Sequence, residues 1–435
     1  EIRRLELTPW LAEWPAGEHL SGAIALNWSD SKLEIPQGTL TLPGTGLAVN
    51  LQADVDTAAN SVNARIDWND LTWPPKDTEP GFSSESGGLH LKGSLDQWTS
   101  TGQLVLRLGQ YPQGRFDIQG YGGRTSARIS GFSGKILGGS VNGDASVDWQ
   151  DGFNWEANIN GNRLDPAPLL PGWPGRLDTI LAISAQHQPG RFQISLKSLG
   201  GLLRGVEIDV QGGLIVHDDT LEFDQFEFRT SRAELILNGS SADTSGLLLE
   251  FDGTLPSTLL QGARGNAQLK ARYSNHENGA LLELQMQGLD LGWNGFGVRA
   301  LSIETGEGDS GDGLPSVHLN AAGLSWQDYS VDELSLTLAP EDKQHRLTAD
   351  LAGEKFALHA AMSLAAQGEA GNFDGPWAGL LDRLDVSLNQ EHRFGLLEAV
   401  PVEGSSEAVQ LRPVCLGNGE GASLCLSGDY QTGGD

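Results

Sequence analysis

Apolar residues recur at alternate positions along most of this chain. Leu47, Val49 and Leu51, continued by Ala53 and Val55, form one stripe; Leu104, Leu106 and Leu108 form the next. Phe192, Ile194 and Leu196 repeat the pattern, followed by Leu221 and Phe223, then Leu235 and Leu237. Further along come Leu247, Leu249 and Phe251, then Leu282, Leu284 and Met286, then Leu334, Leu336 and Leu338. Phe356 and Leu358, running on to Ala360, Met362 and Leu364, and finally Leu384, Val386 and Leu388, complete the set. Asp, Asn, Gln, Ser, Thr and Arg fill the positions between. A period of two places each stripe on one face of a β-strand and the polar residues on the other. Gly pairs, Asn-Gly and Asp-Gly between stripes read as hairpin turns. No amphipathic helix exceeds about three turns. The pattern predicts an all-β chain.

Smaller motifs punctuate it. W-x-D closes stripes at Trp28-Ser29-Asp30, Trp68-Asn69-Asp70, Trp149-Gln150-Asp151 and Trp326-Gln327-Asp328. These read as an aromatic ending an apolar stripe and then a turn residue, with carbohydrate stacking as the functional alternative. LTPWLAEWPAG at 7–17 resembles LDPAPLLPGWPG at 164–175, with Trp14 and Trp173 lying 159 positions apart (173 − 14). Weaker echoes begin at Leu255 (LPSTLLQGARG, to 265) and Gly375 (GPWAGLL, to 381). Each has Pro near the start and Gly near the end, so each reads as a short helical cap between strands. The stretches 73–88, 306–313 and 365–372 are polar, and each is followed at once by another stripe. They read as loops within one continuous segment, 1–435, rather than as domain boundaries.

A strand with one apolar face must hide it. Stacked sheets, closed barrels and a single sheet curled on itself all do so. Glycines scattered inside the stripes, where a sheet bends, favour curling. The expectation is an elongated, U-shaped sheet with a continuous apolar groove. Roughly 30 strands at about 4.8 Å each would make a rod on the order of 140 Å long.

Charge narrows the partners. Asp and Glu outnumber Lys and Arg by 57 to 28, a net charge of −29. Nucleic acid needs clustered cations, and an anionic membrane surface repels this balance, so neither is an expected partner. The chain begins at Glu1, and its methionines are Met286 and Met362. It therefore reads as an internal piece of a longer protein. The two cysteines, Cys415 and Cys425, flank a Gly- and Asn-rich turn. They are placed to close a hairpin as a disulfide, which implies an oxidising compartment, or else are two separate buried thiols. GDSG at 308–311 lacks the His and Asp partners of a serine nucleophile. Neither it nor HDD at 217–219 has the ligand series of a metal site. No catalytic, metal or cofactor site is expected.

Several stretches resemble the TamB family of translocation-and-assembly-module proteins, AsmA-like proteins of Gram-negative bacteria. They are LDPAPLLPGWPGRL from Leu164, LGGLLRGVEIDVQGGLIV at 199–216 and LEFDQFEFRTSRAELILNGS at 221–240. GPWAGLLDRLDVSL at 375–388 and VQLRPVCLGNGEGASLCLSGDY at 409–430 resemble its G-x-W-x-G-x-L and paired-cysteine region. The likeness covers most of the chain and is strongest over 164–300 and 371–430. It implies the taco-like architecture and a periplasmic location. It further implies an inner-membrane anchor before this piece and a later domain meeting the outer-membrane barrel TamA. The role it implies is phospholipid traffic, with the stripes above lining the groove against acyl chains. Two alternatives stand beside that: an assembly factor for outer-membrane barrels or autotransporters, and a carbohydrate-binding β-sandwich.

Overall fold

Alternating side chains joined by turns that are mostly short leave this chain little choice but to pair each strand with the next. The computed structural model describes residues 2–5, 19–75, 81–94, 96–150, 152–185, 191–217, 220–242, 245–276, 279–307, 315–327, 329–341, 344–366, 376–389, 391–405, 408–419, 421 and 423–431. None of these is helical. The chain divides into two units, Glu1–Phe228 and Arg229–Asp435.

The first unit opens with β1 (Ile2–Leu5), β2 (Leu20–Ser29), β3 (Lys32–Thr41), β4 (Ala48–Asp56) and β5 (Ser61–Trp73). It continues through β6 (Phe82–Gly93), β7 (Trp98–Leu108), β8 (Gly114–Gly122), β9 (Ser126–Ile136) and β10 (Gly139–Asp148). Then come β11 (Asn154–Leu164), β12 (Gly175–Ala185), β13 (Arg191–Leu203) and β14 (Val206–His217). β15 (Thr220–Thr230) spans the division. From β1 to β14 each strand pairs antiparallel with its successor.

The second unit holds β16 (Ala233–Ser240), β17 (Leu247–Thr254), β18 (Arg264–His276), β19 (Gly279–Trp293) and β20 (Phe296–Glu307). Next are β21 (Pro315–Trp326), β22 (Tyr329–Glu341), β23 (Gln344–Gly353), β24 (Phe356–Ala366) and β25 (Trp377–Leu388). β26 (His392–Leu396), β27 (Val400–Gly404), β28 (Ala408–Gly417) and β29 (Ser423–Gln431) finish it. Pairing is again sequential and antiparallel from β16 to β25. β26 and β27 lie end to end between β25 and β28, and β28 then pairs with β29. Among the described residues no pairing closes either sheet into a barrel.

Strands bend where one residue adopts a left-handed backbone. Asp70, Arg163 and Asp290 do so inside β5, β11 and β19, at φ of 49°, 52° and 50°. Such a residue shifts which side chains share a face. A Cβ on Gly161 would lie 2.5 Å from Leu164 Cδ1, and one on Gly288 would lie 2.3 Å from Leu291 Cδ1. Residues three apart, rather than two, therefore share a face across the kinks in β11 and β19. That settles a parity the stripes alone leave open.

The cap-like segments are single turns. Leu169 N and Leu170 N both donate to Pro166 O (2.9 Å each), and Trp173 N donates to Leu170 O at 3.0 Å. Leu259 N and Leu260 N likewise donate to Pro256 O (2.9 and 2.8 Å), and Ala263 N donates to Leu260 O at 3.0 Å. The two turns are 90 positions apart (256 − 166). Residues 377–381 are instead the first part of β25, and 7–17 fall outside the described residues, as does 308–311. Of the W-x-D aspartates, Asp151 and Asp328 also fall outside them. Asp30 sits in a turn, whereas Trp68 and Asp70 lie within β5, so that motif marks a kink and not a strand end.

Among the described residues full burial is sparse, and it includes two small clusters. Leu20, Leu42 and Leu47 form one with Leu40, Val49, Leu71 and Trp73 packed against it. Val400, Val414 and Leu416 form another, contacted by Leu381, Leu384, Val386, Phe394 and Leu396.

Candidate functional site

Directly opposed residues in antiparallel strands point to the same face. Following those pairs in the first unit gives one unbroken row from β2 to β14. It runs Ile24, Gly38, Leu51, Ile66, Leu89, Gly102, Ile118, Phe132, Gly143, Ile159, Leu181, Leu196, Gly212. A second row crosses β16 to β25 in the other unit. It runs Leu235, Phe251, Leu269, Met286, Ile303, Leu319, Leu336, Ala349, Ala360, Leu384. No polar side chain interrupts either row. Every member other than glycine is half-buried, packed by its neighbours and partly open to solvent.

The stripes expected to line a groove supply much of this face, though not all of it. Leu51, Leu196, Leu235, Phe251, Met286, Leu336 and Leu384 are members of the two rows. Leu237, Leu249 and Leu284 stand one row to one side, and Leu334, Leu358 and Val386 one row to the other. Leu338 opposes Val317 and Leu347, and Phe356 opposes Leu388. Leu247 reaches Leu282 through Tyr273. Ile194 and Phe192 oppose Ile183 and Ala185; Leu104 and Leu106 oppose Phe116 and Gly114. Leu108 opposes Phe82, and Val49 opposes Trp68. Leu47 instead sits in the buried cluster. Leu108, Phe192, Leu221, Leu282 and Leu388 are exposed. Phe223 packs edge-on to Phe226, centroids 6.0 Å apart.

Ile66, Leu89, Ile118, Phe132, Ile159, Leu181, Leu269, Ile303 and Leu319 also belong to the rows, and the stripe pattern did not single them out. Glycine or alanine at neighbouring positions breaks their alternation. The face becomes apolar only once a large side chain opposite a glycine covers it.

The reverse face is polar. Gln103 donates to Asp117 (2.6 Å), Gln211 to Glu227 (2.7 Å), and Ser335 to Asn320 (2.9 Å). Two open grooves border this face. One, about 1440 Å³, is walled by Gln287, Ser302, Asn320, Ser335, Asp350 and His359; Leu334, Leu358 and Val386 also border it. The other, about 900 Å³, lies along Arg65, Asp67, Gln103 and Asp117, and the row members Leu89, Gly102, Ile118 and Phe132 also border it. Met286, Ile303, Leu319 and Leu336 border neither.

Polar clips fasten the hairpin tips on one side of the first unit. Ser31 Oγ donates to Asp56, whose carboxylate also accepts from the N–H of Ala59 (2.9 Å) and Ala58 (3.0 Å). Those backbone donors, Ala59 first, hold the Asp56 carboxyl below its ordinary range. Asn60 donates to Asp96 at 3.0 Å and Arg124 pairs with the same carboxylate. Arg124 first, then Asn60, keeps Asp96 low. Trp149 Nε1 donates to the Arg124 carbonyl at 2.9 Å.

Cys415 and Cys425 face each other across β28 and β29 and are disulfide-bonded, Cα atoms 4.0 Å apart. Among the described residues no group of three or more His, Cys, Asp and Glu is gathered to hold a metal ion. No helix among them is long and apolar enough to cross a membrane.

These features define a class: long, open antiparallel sheets with one continuous apolar face and kinked strands. Residues 23–435 match the family described as TamB, N-terminal domain, and the chain belongs to that family. Over 266 residues it is 21% identical to the translocation and assembly module subunit TamB of Haemophilus influenzae, covering 56% of this chain. The chain spans about a fifth of that relative's length, 19%. No solved structure matches it.

Proposed function

We propose that this chain is a segment of a periplasmic bridge that carries phospholipid between the inner and outer membranes, its apolar face shielding acyl chains. The observation that supports this most is the pair of uninterrupted, half-exposed apolar rows. A lipid leaving a bilayer exposes about 0.8 kcal/mol per methylene to water, so some thirty methylenes cost on the order of 25 kcal/mol. A row with no polar side chain removes much of that barrier wherever the chains lie. It needs no catalytic group, cofactor or metal. Attachment to the inner membrane belongs, in this reading, to a segment before this one. Contact with a TamA-like outer-membrane barrel belongs to a domain after it.

The test is lipid bound to the protein purified under mild conditions, quantified by mass spectrometry, for the native chain and for Ile303→Asp. A carboxylate in the middle of the row must be desolvated by any chain that passes, which costs more than a peripheral charge. Native protein carrying two-chain lipid, with a loss of about tenfold in the variant, supports the reading. Equal lipid in both contradicts it.

The relative's name carries a second reading, assembly of outer-membrane barrels or autotransporters with TamA. That role requires unpaired strand edges on which a client strand can add. From β2 to β13 and from β17 to β28 every strand has a neighbour on both sides, which favours the lipid reading within these stretches. A client peptide cross-linking along this chain, with no lipid bound, would favour assembly.

A further inference from the structure

The apolar face continues past the kink in β19 to β22. Leu291, Val298, Leu324 and Val331 oppose one another beyond it, and Trp293, Phe296, Trp326 and Tyr329 follow at the hairpin ends. Leu291 stands over Gly288, so both rows share the face of Met286 and Ile303. The four rings are unusually exposed, at 63%, 54%, 46% and 71%. Phe296 and Trp326 are stacked, their planes parallel within 1° and their centroids 5.5 Å apart, and Tyr329 follows Trp326 at 6.2 Å and 30°.

The Trp68 and Trp149 indoles donate to Ser84 Oγ (2.8 Å) and the Arg124 carbonyl (2.9 Å). Trp293 Nε1, Trp326 Nε1 and the Tyr329 hydroxyl have no protein partner among the described residues.

We infer that this aromatic row binds the glycerol–ester level of a two-chain lipid whose acyl chains lie on the rows below it. The inference rests on the proposed function and adds a depth and an orientation to it. Rings with an apolar body and a hydrogen-bonding tip suit the boundary between ester and hydrocarbon. Sugar recognition needs an open ring face, and Trp326 has both of its faces taken, by Phe296 and Tyr329. An added peptide strand needs an unpaired backbone edge, and these positions are paired hairpin ends. Continuity with the apolar rows supplies a place for the chains.

The test uses the full-length protein with phosphatidylcholine vesicles, since anionic lipid would be repelled by this chain's charge. Two photoactivatable lipids are compared, one with its diazirine beside the ester carbonyl and one with it at the acyl terminus. The near-ester probe is expected to label Trp293, Phe296, Trp326 and Tyr329, and the terminal probe Met286, Ile303 and Leu319. In a Trp326→Ala, Tyr329→Ala variant, near-ester labelling of Trp293 and Phe296 should fall about threefold to tenfold, with terminal labelling of Ile303 unchanged. If both probes label the lower rows alike and the rings are unlabelled, the inference is wrong while the proposed function stands. If neither probe labels any apolar row, the proposed function fails with it. Should the double variant misfold, the labelling pattern of the native protein decides the question by itself.

Discussion

Ile303 occupies the middle of an apolar row with Met286 on one side and Leu319 on the other, and it is only half-buried. A side chain in that position stabilises the fold less than a core residue, because part of its surface stays in water. Ile303→Asp should therefore cost about 1 kcal/mol or less in stability while sharply reducing bound lipid. Denaturant titration beside lipid quantification checks that dissociation of the two effects. Asp290 poses the opposite case, where backbone conformation matters more than contact. Its φ of 50° is tolerable for Asp and unfavourable for a β-branched residue. Asp290→Val should lose about 1–3 kcal/mol and Asp290→Gly should lose little, measured by the same titration. The sequence displays the stripes plainly, but not the kinks: nothing in the string around Asp290 says that Leu291 will rejoin the face of Gly288. The rows were hidden for a related reason. Gly102 and Gly143 look like gaps in an apolar pattern, yet Ile118 and Phe132 stand opposite them and keep the face continuous.

Strands of this kind are held mainly by their neighbours, so hairpin tips and terminal pairs are where local changes register. The clip through Asp96 joins the tips carrying Asn60 and Arg124. Its carboxyl is held below 3.8 by Arg124 and then Asn60. A depressed carboxyl contributes stability that is present above its unfolded value and is lost as pH falls through the folded one. Backbone exchange at Asn60 and Arg124 should accordingly quicken below about pH 4 relative to the opposite tips, and Asp96→Asn should abolish the pH dependence there. Hydrogen exchange resolved by residue is the check. At the other end, the Cys415–Cys425 bond fastens β29 to β28. The hairpin and its turn were legible from the glycines between the cysteines, whereas the sequence left the disulfide and two separate thiols both open. Reduction should loosen β29 selectively, at a cost of roughly 2–3 kcal/mol for so short a loop, with exchange across Ser423–Gln431 rising first. The cap-like segments were legible as interruptions, but their size was not. Pro166 and Pro256 each initiate a single turn, because the glycines at 172 and 262 take left-handed φ of 87° and 81° and end it.

Across the molecule the same arrangement recurs in both units: apolar row on one face, hydrogen-bonded polar ladder on the other. The acidic balance, a net charge of −29, falls on a chain whose apolar face is half-exposed, and like charge opposes the association of such surfaces. Family membership follows from the match over residues 23–435. What the apolar face carries is decided by who touches it. The most direct measurement is a photo-crosslinking scan in living cells with the probe at Leu106, Ile194, Leu249 and Leu336. Arg107, Ser195, Glu250 and Thr337, one residue on and facing the other way, serve as controls. Phospholipid adducts at the apolar positions and none at the controls are the predicted result. Equal labelling of the two sets, or adducts to protein alone, would contradict acyl-chain shielding by this face.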